Sequence, residues 1–296
     1  MKKMGVPGKI LCVLMLLLHN SIQQQQVFND IKTLSLPANY KIGWMESLDD
    51  NKLISDITIP GTHDSLALYG GFLAKCQAWS LEDQLKAGIR YFDLRVFGAE
   101  LKIKHGPFDQ RTTFPIAFNT IRKFLSEYKS ETVLVRVKPG GKSKDKVPNL
   151  VAEEIKKVPD CWVSDKIPKI GEVRGKTVFV QKDAFKLGIS SHGTDKPNDY
   201  IVVSVKNKKE KIISHLKYSA DKKNRLNHIV LNYSSGTGIP RLMLHRNPKS
   251  LAKNINPWLY EYLNNESKKT NPKPCFGVIA MDFPGLDLIR KVTEFN

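Results

Sequence analysis

We predict an α/β fold because short apolar runs alternate with helical patterns along the chain. Eight runs rich in Val, Ile and Phe end in polar residues and are short enough to be strands: "DITIPGTHD", "IRYFDLRV", "LKIKHG", "TVLVRVK", "TVFVQKD", "YIVVSVK", "HIVLNYSS" and "FGVIAMD". Apolar spacing or capping predicts helices over "SLEDQLKAG", "IAFNTIRKFLSEY", "NLVAEEIKKV" and "EKIISHLKYS". This alternation is typical of a parallel sheet covered by helices.

The number of predicted strands favours a TIM-type barrel over an open sheet. Only a few residues around Gly98 separate the second and third runs, which is too short for a crossover helix. We therefore predict a hairpin there and a distorted TIM-type barrel, forming a single domain over residues 40–296. An open doubly wound sheet is the alternative, but no Gly-rich phosphate loop follows the first run.

The first 22 residues have the pattern of a secretory signal peptide. Three lysines (Lys2, Lys3 and Lys9) precede an apolar stretch, Ile10–Leu18. This stretch is too short to cross a bilayer, which needs ~20 residues. An N-terminal anchor or a buried helix is the alternative. No later segment is long and apolar enough to span a membrane, so we expect a secreted, soluble protein.

The chain is strongly basic, with 47 Lys and Arg against 29 Asp and Glu and a net charge of +18. Such charge favours polyanions: nucleic acid, sulfated glycans or an anionic membrane surface. No zinc-finger spacing, RNP-like motif or basic heptad accompanies the charge, so we do not expect a nucleic-acid partner. A solvated basic surface without a partner is the alternative.

Three cysteines and two glycosylation sequons lie beyond the signal peptide. Cys76, Cys161 and Cys275 allow one disulfide and one free thiol in an oxidising compartment, and the sequence does not rank the three pairings. None belongs to a CxxC motif, which argues against a thiolate metal site. Asn232 and Asn265 begin sequons, and Asn265, in a polar stretch that resembles a loop, is the better candidate.

Polar residues collect where the predicted strands end. In barrels of this type, the loops after the carboxyl ends of the strands build the active site. We therefore expect one mouth to gather the side chains at these positions, which are His63, Asp64, Asp93, Arg95, His105, Lys138, Lys182 and Asp282.

This set of residue types suits the cleavage of a phosphodiester. Two histidines, His63 and His105, can serve as base and acid because the imidazole pKa is near ~6.5. Each needs a carboxylate partner, for which Asp93 and Asp282 are candidates. The planar guanidinium of Arg95 suits two phosphate oxygens.

Two alternatives remain at this point. Asp93 and Arg95 are two apart on one strand, so they share a face and could form only a structural ion pair. Two histidines and carboxylates could also bind a metal ion, but the nearby cation of Arg95 would repel it. The remaining histidines are expected at the surface or in caps.

Seven segments resemble the bacterial-type phosphatidylinositol-specific phospholipase C (X-domain) family: "IPGTHDS", "QLKAGIRYFDLRV", "KHGP", "VLVRVK", "RGKTVFVQK", "HIVLNYSSG" and "GVIAMDFPG". They occur in order from about residue 40 to the end of the sequence. The resemblance implies a distorted TIM barrel, in agreement with the strand pattern.

The resemblance also implies a role for each histidine. His63 would be the general base that takes the proton from the inositol 2-hydroxyl, and Asp282 would hold it. His105, backed by Asp93, would protonate the departing diacylglycerol oxygen.

The resemblance further implies how the phosphate and the inositol are held. Arg95, positioned by Asp64, would stabilise charge on the phosphate oxygens where calcium-dependent relatives place a metal ion. We therefore expect no metal and no other cofactor. Lys138 matches an inositol-contacting lysine of the family, and Lys182 lies where the bacterial enzymes have an arginine.

Taken together, these features predict a secreted, metal-independent phospholipase C. It would cleave phosphatidylinositol to diacylglycerol and inositol 1,2-cyclic phosphate, with glycosylphosphatidylinositol anchors left open as substrates. The expected partner is a membrane surface that contains phosphatidylinositol, and a monomer is expected. The alternatives are a metal-dependent glycerophosphodiesterase or phospholipase D on a similar barrel, or an inactive inositide-binding protein.

Overall fold

The structure is a computed structural model, and it describes residues 27–142, 144–194, 197–238, 245–269 and 271–296. Its strands are β1 (Ile59–Thr62), β2 (Tyr91–Phe97), β3 (Lys102–His105), β4 (Phe108–Thr113), β5 (Val133–Gly140), β6 (Cys161–Trp162), β7 (Thr177–Val180), β8 (Ser191–Gly193), β9 (Ile229–Tyr233) and β10 (Val278–Met281). The predicted signal peptide, residues 1–22, lies outside the described residues and stays a prediction.

The helices alternate with these strands over most of the chain. They are α1 (Gly71–Ala74), α2 (Leu81–Lys86), α3 (Phe114–Glu127), α4 (Val147–Lys156), α5 (Ile170–Val173), α6 (Pro197–Tyr200), α7 (Val205–Ala220), α8 (Pro248–Lys269) and α9 (Leu286–Thr293). All four helices expected from the sequence are present. Ser80 caps α2 as its position predicts, because its hydroxyl accepts a hydrogen bond from the backbone N–H of Asp83.

The parallel strands curve into a barrel in the order β6, β7, β5, β2, β1, β10, β9, β8. Ile189, just before β8, exchanges two backbone hydrogen bonds of 2.9 Å with Phe179 and Gln181 and so joins β8 back to β7. β3 pairs antiparallel with β2 and with β4 outside this order. The α/β class, the TIM-type barrel and the hairpin distortion after β2 are therefore confirmed.

Side chains alternate between the barrel interior and the layer under the helices. On β2, Tyr91 belongs to the interior cluster, while Phe92 and Leu94 belong to the cluster that the helices cover. On β10, Val278 and Ala280 point inward by the same criterion. Because side chains alternate along a strand, Asp93, Arg95 and Asp282 continue the inward series at the carboxyl end.

Gly61 is required where β1 passes the aromatic ring of Tyr91. A Cβ atom at Gly61 would lie 2.7 Å from Cδ1 and 2.9 Å from Cβ of Tyr91, which is closer than real Cβ contacts allow. The glycine of "IPGTHDS" therefore lets the interior close directly below His63.

The predicted strand "YIVVSVK" is wrong. Tyr200 ends α6, Val205 begins α7, and between them only an isolated bridge joins Ile201 to Thr237. The corresponding place in the barrel is taken by β8, Ser191–Gly193, which has no apolar side chain and so gives no hydrophobic signal. The strands β4 and β6 were also not predicted.

A buried ion pair supports the end of the barrel opposite the strand carboxyl ends. The Nε atom of Arg90 donates to Glu131 over 2.8 Å, and both side chains are fully buried. The guanidinium also donates to the carbonyl oxygens of Leu85, Ile89 and Ile42, and the backbone N–H of Met45 donates to Glu131. Both charges are thus compensated by hydrogen bonds, as burial requires.

The cysteines and sequons differ from expectation. Cys76, Cys161 and Cys275 are all free, so the predicted disulfide is wrong for the described residues. Asn232 is buried in β9, and its amide donates to the carbonyl of Phe276, which leaves no access for glycosylation. Asn265 is exposed on α8 rather than in a loop, and its glycosylation stays a prediction.

Among the described residues, none of the helices combines the length and apolar character needed to cross a bilayer.

Candidate active site

His63 and Asp64 lie directly after β1, where the chain leaves the barrel. The backbone N–H of His63 still donates to Met281 on β10. Asp64 then adopts a positive φ of 40°, a left-handed conformation that Asp tolerates better than most residues. This sharp turn places the consecutive side chains of His63 and Asp64 in the same region, and both are buried.

Asp282 holds His63 from the neighbouring strand. The Nδ1 atom of His63 lies 2.9 Å from Oδ1 of Asp282, and both side chains are buried. The amide of Gln77 donates to the carbonyl oxygen of His63, and the amide of Asn256 donates to that of Asp282. These backbone contacts fix both ends of the pair. Because Nδ1 faces the carboxylate, Nδ1 carries the proton and Nε2 faces the mouth.

Asp64 contacts three other side chains of the site. Its carboxylate forms an ion pair with Nε of Arg95. The same carboxylate has one oxygen 3.4 Å from Nε2 of His63 and 3.3 Å from Nε2 of His105. Nη2 of Arg95 lies 3.3 Å from Nε2 of His63. Both imidazoles and the guanidinium therefore border one small volume.

The charges in this volume shift the pKa values of its members. Burial alone would lower the pKa of His63, but the carboxylates of Asp64 and Asp282 outweigh it and raise the pKa above 6.5. Burial alone would raise the pKa of Asp64, but Arg95 and the histidines hold it below 3.8. Asp64 therefore stays ionised at neutral pH and favours the protonated form of His63.

The expected pairing of His105 with Asp93 is wrong. Nδ1 of His105 donates instead to the carbonyl oxygen of Ala74 at the end of α1, over 2.6 Å. Asp93 accepts from Nε of Arg136 over 3.1 Å, and both side chains are buried. The physical reason is register: β5 places Arg136 directly beside Asp93, whereas the hairpin carries His105 over Asp64.

Lys138 and Lys182 follow the inward series of their strands. Lys138 is the register partner of Arg95, and its charge helps to lower the pKa of Asp64. Lys182 lies two residues beyond Val180, the inward residue at the end of β7, and its Nζ is 3.5 Å from the Asp183 carboxylate. Both ammonium groups therefore belong to the mouth of the barrel.

Two tyrosines that the sequence did not identify enclose His63. The ring of Tyr200 lies 5.5 Å from the imidazole, and the ring of Tyr233 lies 5.8 Å away, edge to face. The Tyr233 hydroxyl shares a hydrogen bond of 2.7 Å with that of Tyr91. The sequence pattern assigned Tyr200 to a strand. The adjacent polar residues Asp199 and Tyr200 were the available signal for a site residue here.

Arg95 also bears on whether the site suits a metal ion. Among the described residues, His63, Asp64 and Cys76 place ligand atoms within 4.8 Å of one another. Burial raises the pKa of the Cys76 thiol well above 9.0, and the guanidinium of Arg95 already neutralises Asp64. A divalent cation would therefore meet a protonated thiol and a fixed positive charge.

Comparisons with known proteins show what this chain is similar to. A family model described as "Phosphatidylinositol-specific phospholipase C, X domain" matches residues 51–183. A 1-phosphatidylinositol phosphodiesterase of Listeria monocytogenes is 31% identical over 279 residues, which cover 86% of this chain and 84% of the relative. The enzyme of that name from Staphylococcus aureus strain Newman is 31% identical over 116 residues, 35% of this chain and 36% of the relative.

Solved structures show the same fold. The phosphatidylinositol-specific phospholipase C from Listeria monocytogenes superposes with a TM-score of 0.73 at 27% identity, covering 87% of this chain and 99% of that one. The corresponding Staphylococcus aureus enzyme gives a TM-score of 0.71 at 21% identity, over 86% and 97% of the two chains, and supports the fold alone. This chain belongs to the phosphatidylinositol-specific phospholipase C family.

Proposed function

We propose that this protein is a secreted, metal-independent phospholipase C that cleaves phosphatidylinositol to diacylglycerol and inositol 1,2-cyclic phosphate. The observation that carries the proposal is the shared Asp64 oxygen, which lies 3.4 Å from Nε2 of His63 and 3.3 Å from Nε2 of His105. A base and an acid therefore face one volume, which Arg95 borders with a positive charge.

His63 suits the first proton transfer. With Nδ1 bonded to Asp282, Nε2 can accept the proton of the inositol 2-hydroxyl. The 2-oxygen then attacks the adjacent phosphorus and forms the new P–O bond of the cyclic phosphate. Asp282 stabilises the imidazolium that results, and the attack within one molecule needs no second reactant to be brought in.

His105 suits the second proton transfer. Its Nδ1–H is bonded to Ala74, so the proton to be transferred is that on Nε2, beside Asp64. As the bond between phosphorus and the glycerol oxygen breaks, this proton passes to the diacylglycerol oxygen. Arg95 is placed to stabilise charge on the non-bridging phosphate oxygens. General acid–base catalysis of this kind typically contributes ~10²–10⁴-fold.

An apolar rim supports contact with a membrane. Phe72 and Leu73 on α1 and the preceding Tyr69 are 50%, 41% and 37% exposed. The same helix ends at Ala74, whose carbonyl holds His105, so the exposed apolar side chains border the candidate site. Without the three lysines of the predicted signal peptide, 44 basic residues remain against 29 acidic ones. Together with this net charge of +15, the rim suits an anionic lipid surface.

The proposal is tested by hydrolysis of phosphatidylinositol vesicles in excess EDTA, with the product identified by phosphorus NMR. We expect activity in the chelator, a cyclic phosphate product, and a loss of activity in His63→Ala and Arg95→Ala. The matched controls are His228→Ala and Arg290→Ala, which lie away from the catalytic end of the barrel. A metal requirement would indicate the metal-dependent alternative, and vesicle binding without turnover would indicate an inositide-binding protein.

A further inference from the structure

The residue that follows Asp282 has a strained backbone. Phe283 adopts a φ of 46°, which lies in the left-handed region that bulky side chains rarely occupy. The residue is buried. Such a conformation persists only where the surrounding contacts determine it, and strained residues of this kind collect at functional sites. The contacts of Phe283 therefore bear on how the neighbouring Asp282 is held.

Three hydrogen bonds fix Phe283 in this conformation. Its backbone N–H donates to the carbonyl oxygen of Cys76 over 3.0 Å. Its carbonyl oxygen accepts from the side-chain amide of Asn256 on α8 over 3.0 Å, and from the backbone N–H of Asn29 over 2.9 Å. Asn29 belongs to residues 27–30, which we call the N-terminal strap. The strap thus supplies one of the two donors to the Phe283 carbonyl.

The strap is anchored on both sides of this donor. Phe28 forms an antiparallel bridge with Pro284, and its ring lies 5.9 Å from that of Phe283. Phe28 is buried in the same small apolar cluster as Phe283. Asp30 forms an ion pair of 2.7 Å with Lys249 on α8. The donor is therefore held in place by packing on one side and by charge on the other.

We propose that the N-terminal strap is a positioning element of the catalytic base, because it maintains the Phe283 conformation that directs the Asp282 carboxylate to His63. Asp282 and Phe283 share one peptide unit, so a change of φ at Phe283 moves the carboxylate relative to Nδ1 of His63. Among the described residues, Oδ2 of Asp282 is buried without a hydrogen-bond partner, so the backbone rather than another side chain sets the direction of this carboxylate. The inference rests on the proposed function, in which His63 is the base.

The first test removes a single donor from the strap. Asn29→Pro eliminates the N–H that bonds to Phe283, and Asn29→Ala is the matched control, because it loses the same side chain but keeps the N–H. The assay is hydrolysis of phosphatidylinositol vesicles. We expect kcat to be about tenfold lower in Asn29→Pro than in Asn29→Ala, the rate equivalent of one weakened hydrogen bond, with KM little changed.

Two readouts separate positioning from a general loss of stability. Burial lowers the pKa of His63, whereas the carboxylates of Asp64 and Asp282 raise it. A displaced Asp282 should therefore move the acid limb of kcat/KM to lower pH in Asn29→Pro. In the Asp282→Asn background, the difference in kcat between Asn29→Pro and Asn29→Ala should largely disappear, because the charge that the strap positions is gone.

A second pair of variants leaves every backbone donor in place and decides the question if Asn29→Pro does not fold. Phe28→Ala removes the ring that packs on Phe283, and it should reproduce both the lower kcat and the shifted acid limb. Phe28→Leu keeps most of the buried volume and should restore both. Absence of hydrolysis by the wild type would contradict the proposed function. With an active wild type, an unmoved acid limb or an undiminished effect in the Asp282→Asn background would overturn only this inference.

Discussion

The contact between His63 and Asp282 gives the most direct test of the mechanism. Asp282→Asn keeps the size of the side chain but removes the negative charge that lies 2.9 Å from Nδ1 of His63. Both groups are buried, so solvent cannot replace the lost charge. Breaking a buried ion pair typically costs ~3–5 kcal/mol, which corresponds to a rate loss between ~2 × 10²-fold and ~5 × 10³-fold if the loss falls on the transition state.

The pH dependence of this variant carries independent information. The base must be unprotonated, so kcat/KM falls as the pH drops through the pKa of His63, which Asp64 and Asp282 raise above 6.5. Asp282→Asn removes one of these two carboxylates. The acid limb of the profile should therefore move to lower pH in the variant, even as the maximum rate falls.

The assay is release of water-soluble inositol phosphate from phosphatidylinositol vesicles between pH 5 and pH 9. Asp56→Asn is the matched control, because it weakens an ion pair with Arg225 in a different part of the structure. Thermal unfolding should confirm that both variants are folded. Activity of Asp282→Asn within about threefold of wild type, with an unmoved acid limb, would refute the role assigned to this pair.

Four further outcomes are expected. Glu131→Gln should lower the free energy of unfolding by ~3–5 kcal/mol, because it leaves Arg90 buried without its counter-charge. Glu153 is exposed, so Glu153→Gln should change this free energy little. Urea unfolding measures both variants. Lys208→Met should raise KM more than it lowers kcat, because Lys208 donates to the backbone carbonyls of Asp199 and Tyr233 and so ties the segment before Tyr200 to β9. Burial lowers the pKa of Lys208 from 10.5 to about 8, so wild type should gain stability relative to Lys208→Met as the pH rises through this interval, where the unfolded chain binds more protons. Dithiothreitol should leave the melting temperature unchanged, since the described cysteines are free, and a drop would show a disulfide.

The barrel was largely predictable because its strands carry strong local signals. The segments that became β1, β2, β5, β7, β9 and β10 lie in short runs rich in apolar residues, and such runs indicate buried parallel strands without help from distant residues. The failures occurred where this signal is absent or misleading. The three residues of β8 contain no apolar side chain, and the apolar residues after Tyr200 form a connection between two helices in which Ile201 and Val203 are exposed.

The sequence by itself indicated which charged and ionisable groups of the candidate site reach the mouth, since each lies at the end of a predicted strand and parallel strands end at a common edge. It did not indicate Tyr200 and Tyr233. The resemblance to the family implied that Asp64, although next to His63 in the chain, pairs with Arg95, and the structure contains this ion pair. Only the tertiary structure decided the partner of His105. Register between β2 and β5 assigns Asp93 to Arg136, and the fold of α1 brings the carbonyl of Ala74 to the imidazole instead. Such pairings depend on distances between separate segments, which residue types and spacing along one chain do not specify.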